Sequence, residues 1–270
     1  MSRSVSAPSF FVRLVRPGRI WCVAAIHGEG KRLVQLHARL APRLRKGDRL
    51  VYLGGYLGHG SDVLGTLDEL ILFRRLFLAR RFAFLDDIVF LRGAQEEMWQ
   101  KLQQLQFAPN PREVLQWMLD HGVAPTLAAY GGDVRRGLAA AREGALALTR
   151  WAAGLRAAID AHPGHRPFLM GIKRYALDHE GALLFVHAGV DAGKPLDLQR
   201  DALWWGGADI LELAAPYGGF RRIIRGFDRR HGGLVEGPYA LSLDAGSGFG
   251  GPLLAACLAP DGSVIERIEA

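Results

Sequence analysis

The sequence has 270 residues, 49% of them hydrophobic and 23% charged, enough to bury a core within one large globular domain. The formal net charge is +7 and arginine dominates it, since five of the 34 basic residues are lysine. Two cysteines, Cys22 and Cys257, exclude a disulfide framework and fit buried thiols in a reducing compartment. No apolar run approaches the roughly 20 residues that a bilayer span requires. Arg13 and Arg16 break the one early apolar stretch, so no signal peptide is expected and a cytoplasmic protein is.

Residues 1–19 read as a loose lead-in that ends in the turn Arg16-Pro17-Gly18-Arg19, before a single domain over 20–270. Ile20 to Ile26 is nearly continuous in apolar character, the mark of a strand covered on both faces. It ends in His27-Gly28-Glu29-Gly30, and a helix follows with Leu33, Leu36 and Leu40 at helical spacing. Asp48 to Gly54 is a second strand, and Asp62 to about Arg81 a long helix. Asp87 to Leu91 is a third strand, followed by a helix through Leu105. Three strand–loop–helix units in succession predict a parallel sheet.

Pro109 to Ala161 reads as a mainly helical insertion, with Trp117, Met118, Leu138, Leu146 and Trp151 as packing residues. Beyond Arg174 come short strands at 183–186, 221–224, 239–243, 253–258 and 264–268, which predict a second, largely antiparallel sheet. Gly246 to Gly251 matches G-x-G-x-x-G, with Glu266 at the distance of a ribose contact. Pro252 and an apolar run stand where the required helix should begin, so a turn is the better account.

Four loops carry the chemistry: Ala24-Ala25-Ile26-His27-Gly28, Leu53-Gly54-Gly55-Tyr56-Leu57-Gly58-His59-Gly60, Leu91-Arg92-Gly93-Ala94-Gln95-Glu96 and Phe185-Val186-His187-Ala188-Gly189. In order and spacing they resemble the calcineurin-like metallophosphoesterases of the phosphoprotein-phosphatase type, including bacterial serine/threonine phosphatases and diadenosine-tetraphosphate hydrolases. Those proteins read G-D-x-H-G, G-D-x-x-D-R-G, L-R-G-N-H-E and V-H-A-G, then G-H-T and a closing D-T-G-x-x-x-G-G. Asp48-Arg49-Leu50-Val51, Trp204, Asp244-Ala245-Gly246 and Gly250-Gly251 extend the likeness over about residues 18–260. The resemblance implies an α/β sandwich of two central mixed sheets flanked by helices.

It also implies a dinuclear metal centre, and most of that centre is missing. Two dications roughly 3.5–4 Å apart repel by roughly 17–19 kcal/mol at an effective dielectric of about 20, and carboxylates must offset this. Position by position, Ala25 replaces the first aspartate and Gly55 the bridging one. Ala94 and Gln95 replace the asparagine ligand and the histidine acid, and Phe227 replaces the late histidine. His59 stands in place of the phosphate-binding arginine, beside Gly58 in place of aspartate. His27 and His187 survive, as does Arg92. Glu29, Asp62 and Glu96 could substitute as ligands, but each is better explained as a charge at a helix start.

The expectation is therefore a pseudophosphatase with no catalytic residue, no metal and no other cofactor. A residual pocket of His27, His59, Arg92, Gln95, His187 and Arg225, ringed by helix N-termini, would bind a phosphorylated small molecule or phosphopeptide. Otherwise an outer surface would bind a protein partner. The alternative is an active phosphoesterase, cleaving a phosphoprotein or a dinucleoside polyphosphate at an atypical site that holds Mn or Zn. Neither nucleic acid nor a membrane is an expected partner. The basic clusters at 39–49, 74–81 and 221–230 read as solvated surface, or as an attraction for anions.

Overall fold

Strands apolar on every residue are stable only where both faces of their sheet are covered. The computed structural model describes residues 10–270 and meets this condition with a sandwich. The chain enters with strand β1 (Phe11–Arg13) and runs through β2 (Ile20–Val23), helix α1 (Gly30–Leu40), β3 (Arg49–Tyr52), α2 (Val63–Leu78), β4 (Ile88–Phe90) and α3 (Ala94–Leu102). Helices α4 (Pro111–Asp120), α5 (Ala124–Ala129), α6 (Val134–Glu143) and α7 (Ala145–Asp160) form the insertion, which α8 (His165–Gly171) closes. Then come β5 (Tyr175–Leu177), β6 (Leu183–Val186), α9 (Ala202–Trp205), β7 (Arg222–Arg225), β8 (Val235–Glu236), β9 (Ala240–Ser242), β10 (Leu254–Leu258) and β11 (Val264–Glu269).

One sheet has the order β11-β10-β2-β3-β4, and the other β1-β5-β6-β7-β9-β8. Strands β2, β3 and β4 are parallel, as their βαβ connections require. Their registers set Cys22 opposite Val51 and Val51 opposite Val89.

Four expectations need correction. The lead-in is not loose over its described part, because β1 pairs in parallel with β5 and buries Leu14. Its partner lies some 160 residues away, which no local pattern records. The second sheet is not largely antiparallel, since β6, β7 and β9 run parallel. Nor does it hold the last hairpin: β10 joins the first sheet antiparallel to β2, and β11 follows it. Within the insertion Met118 is buried, whereas Trp117 and Leu146 are exposed and do not pack as core.

Part of the first basic cluster is structural. Arg49 is buried with its guanidinium Nε 3.0 Å from Asp87, and Arg19 pairs with Asp48 at 2.6 Å. These ties pin the N-terminal ends of β3 and β4, opposite the end where the motif loops gather.

Candidate functional site

In open α/β sheets, ligands sit beyond the carboxyl ends of the strands. Here His27 follows β2, Gly54 to Gly60 follow β3, Arg92 to Gln95 follow β4, His187 follows β6 and Phe227 follows β7. Backbone hydrogen bonds lock these loops together. The amides of Ile26 and His27 donate to Gly55 O, that of Ala25 to Gly226 O, and those of Gly226 and Phe227 to His187 O. Ser247 Oγ donates to Ile26 O at 2.9 Å and ties in the closing glycine-rich turn. Leu254 begins a strand directly beyond it, so the turn leads to no helix.

The two surviving histidines do not line an open mouth; both are buried. His187 Nδ1 lies 2.8 Å from Leu53 O, so that nitrogen carries the proton and Nε2 keeps a lone pair. His27 Nδ1 makes a longer contact of 3.4 Å with Leu57 O. Both Nε2 atoms are buried without a partner. The Phe227 ring lies parallel to His187 at 5.4 Å and edge-on to His27 at 5.5 Å. Phe249 covers His27 from outside, at 5.4 Å, and sits between His59 at 4.3 Å and His231 at 4.4 Å. Two phenyl rings and four imidazoles therefore form an aromatic plug.

Burial is the first cause of the low pKa values here. It holds His187 down to about 4 and His27 well below the ordinary range, with His59 and His187 also acting on His27. His59 is lowered as well, by burial and by His231. His27, His59 and His231 all have positive φ, at 53°, 47° and 49°. Such backbone is costly for a side-chain-bearing residue and is held by the loops around it.

Glu96 proves to be more than a favourable charge at a helix start. Its buried carboxylate accepts from the amides of Gly55 (2.9 Å), Tyr56 (2.7 Å), Leu57 (3.0 Å) and Gly93 (2.7 Å). The amide of Gly58 donates to Thr126 Oγ1 at 2.9 Å. The donors expected to face a phosphate are thus satisfied by an internal anion. Burial raises the Glu96 pKa, against the four amides that lower it. Asp62 caps α2 through Gly65 N, and Glu29 faces Arg32 at 3.8 Å.

Of the remaining expected residues, Gln95 bridges His59 Nε2 (3.0 Å) and His121 O (2.8 Å) and is buried. Arg92 pairs with Glu97 at 2.8 Å. Arg225 is buried between Asp228 (2.6 Å) and Asp209 (3.2 Å), so its charge is spent internally. Beside the plug lies a cleft of about 460 Å³, lined among others by Trp205, Arg225, Phe227 and Arg229. Arg229 is exposed and has no hydrogen bond or ion pair among the described residues. Sequence reasoning missed Phe249 and Arg229. Phe249 was within reach, because it lies between the matched halves of the closing motif.

A dinuclear centre does not fit these residues. An ideal Cβ on Gly55 would stand 2.9 Å from His187 Cε1, 3.0 Å from Ala25 Cβ and 3.2 Å from His27 Cε1. The place to which the resemblance assigns a bridging carboxylate is therefore closed. Among the described residues no three His, Cys, Asp or Glu side chains are placed to hold a metal ion. Because Gly55 also has φ +71°, Gly55→Ala is expected to cost about 2 kcal/mol in denaturant unfolding, through backbone strain and contact with both rings.

No family model and no curated protein matches the sequence. Solved structures do match in fold. A candidate diadenosine tetraphosphatase aligns over 96% of this chain and 97% of its own, with TM-score 0.56 and 20% identity. A cold-active protein tyrosine phosphatase aligns over 95% and 80%, with TM-score 0.56 and 10% identity. A protein serine/threonine phosphatase from Saccharomyces cerevisiae aligns over 97% and 84%, with TM-score 0.52 and 12% identity. These likenesses and the two-sheet sandwich agree: the chain has the calcineurin-like metallophosphoesterase fold.

Proposed function

We propose that this chain is a pseudophosphatase, which keeps a phosphoesterase scaffold and acts by binding rather than by turnover. One observation carries the reading. Phe227 lies flat on His187 and Gly55 backs onto both histidines, so aromatic carbon fills the volume that carboxylates and metals would need. Neutral imidazoles alone do not offset two adjacent dications.

The cleft beside Phe227 is where a phosphorylated ligand would dock. Arg229 supplies an unpaired guanidinium and Trp205 an aromatic wall. Arg225 stays with its two aspartates and does not reach out. Phosphopeptide and nucleotide titrations followed by calorimetry test this, with Arg229→Ala as control. Binding that Arg229→Ala weakens at least tenfold supports the cleft, and absence of heat with every phosphorylated probe removes it. A protein partner on an outer surface then remains as the function.

A second reading, an active phosphoesterase with an atypical site, draws on the two orphaned Nε2 atoms of His27 and His187. A single Mn or Zn ion there would be a Lewis acid for phosphate. The purified protein is expected to carry less than stoichiometric metal and to leave an aryl phosphate uncleaved, with or without added Mn²⁺. Bound metal at one equivalent, with activity lost in His187→Ala, would replace the pseudophosphatase reading.

A further inference from the structure

Far from the motif loops, the turn between α2 and β4 carries the sequence Arg80-Arg81-Phe82-Ala83-Phe84-Leu85. Its apolar side chains are not buried: Phe82 is 48% exposed, Phe84 53% and Leu85 69%. Phe82 also has φ +69°, a backbone state that is strained for a bulky aromatic residue. Water offers no compensation for holding three large apolar groups outward on one short loop.

Cations surround these rings. Lys46 Nζ lies 4.1 Å from the Phe82 ring centre, and the Arg81 guanidinium lies 4.8 Å from it. Arg16 stands 3.9 Å over Phe84. Arg80 donates to Leu44 O at 2.7 Å, which joins this loop to the Arg43-Leu44-Arg45-Lys46 stretch, where Arg43, Arg45 and Lys46 are exposed. Among the described residues Arg45, Lys46 and Arg81 form no side-chain ion pair. The loop's own acids are Asp86 and Asp87, and Asp87 is buried between Arg16 and Arg49.

We propose that this basic, aromatic-tipped surface docks onto an anionic lipid bilayer, with Phe82, Phe84 and Leu85 entering the headgroup boundary while Lys46, Arg45 and Arg81 contact lipid phosphates. Exposed apolar tips beside the unpaired cations Arg45, Lys46 and Arg81, with the exposed Asp86 as the loop's one opposing surface charge, complement a negatively charged interface. The rings gain an apolar environment, and the long basic side chains extend from them to the charge. No helix among the described residues is long and apolar enough to cross a membrane, so the contact is peripheral. The absence of a spanning run, on which the expectation of no membrane partner rested, does not register such a surface. This inference is independent of the site under the plug.

Sedimentation of the full chain with phosphatidylcholine vesicles, with and without phosphatidylserine, tests it. Binding is expected only with phosphatidylserine and is expected to weaken as salt is raised. The double variant Phe82→Gly, Phe84→Ser should lose at least tenfold in partitioning. Glycine relieves the positive φ at position 82, so loss of fold is not the anticipated cause, and an unchanged thermal midpoint checks this. Lys46→Glu with Arg81→Glu should abolish the phosphatidylserine dependence. Equal sedimentation with neutral and anionic vesicles, none with either, or full binding by the folded double aromatic variant would each overturn the proposal.

Discussion

Glu96→Ala is expected to destabilise the fold by about 4 kcal/mol, measured as a shift of the urea midpoint at neutral pH. Four amides, those of Gly55, Tyr56, Leu57 and Gly93, would lose their acceptor together in a buried place. Each orphaned buried donor costs about 1–3 kcal/mol, offset in part by releasing a carboxylate from an environment that penalises its charge. Glu96→Gln should recover less than half of the loss, since its NH₂ group would face amide donors. A cost under about 1 kcal/mol for the alanine variant would mean that water enters and satisfies the loop, and that the carboxylate is not its anchor.

Acidification is expected to cost stability between about pH 6.5 and pH 4, chiefly through the buried imidazoles. His187 has its pKa lowered to about 4 by burial, so it binds a proton more readily in the unfolded chain. Stability from such a group is complete above the unfolded pKa near 6.5 and is lost as pH falls toward the folded value. The drop from about 6.5 to about 4 corresponds to about 3 kcal/mol. His27, His59 and His37 are also lowered by burial and act in the same direction. Glu96 and Asp244 oppose them, because burial raises both carboxyl groups and proton uptake there favours the folded state. Urea unfolding across this range, repeated with His187→Asn, isolates the contribution: the variant keeps a donor for Leu53 O but has nothing to titrate. Parallel pH curves for the two proteins would show that His187 does not drive the loss.

What the sequence made legible depended on whether the information was local. The β2, β3 and β4 runs could be read directly, because a strand covered on both faces is apolar throughout. The motif loops could be read through their order, and Ala25, Gly55, Ala94 and Phe227 could be read as departures from the pattern they resemble. What could not be read was where side chains go once ligands are absent. Phe227 reads as a missing histidine, and only packing shows its ring on His187. Arg225 reads as an available cation, but Asp209 and Asp228 hold it. Glu96 reads as a helix-start charge, but its four amide partners come from the Gly93 turn and from a loop some 40 residues earlier in the chain. Strand pairing was hidden for the same reason: the neighbours of β1, β10 and β11 are chosen by the whole sandwich, not by the strands' own residues.

The crowding around Gly55 makes this position hard to refill. An aspartate there would collide with two imidazoles, and those imidazoles have no room to withdraw while Phe227 and Phe249 stand behind them. Installing a carboxylate at position 55 therefore calls for companion changes among His27, His187 and Phe227, since the single substitution strains the loop before any ion is bound.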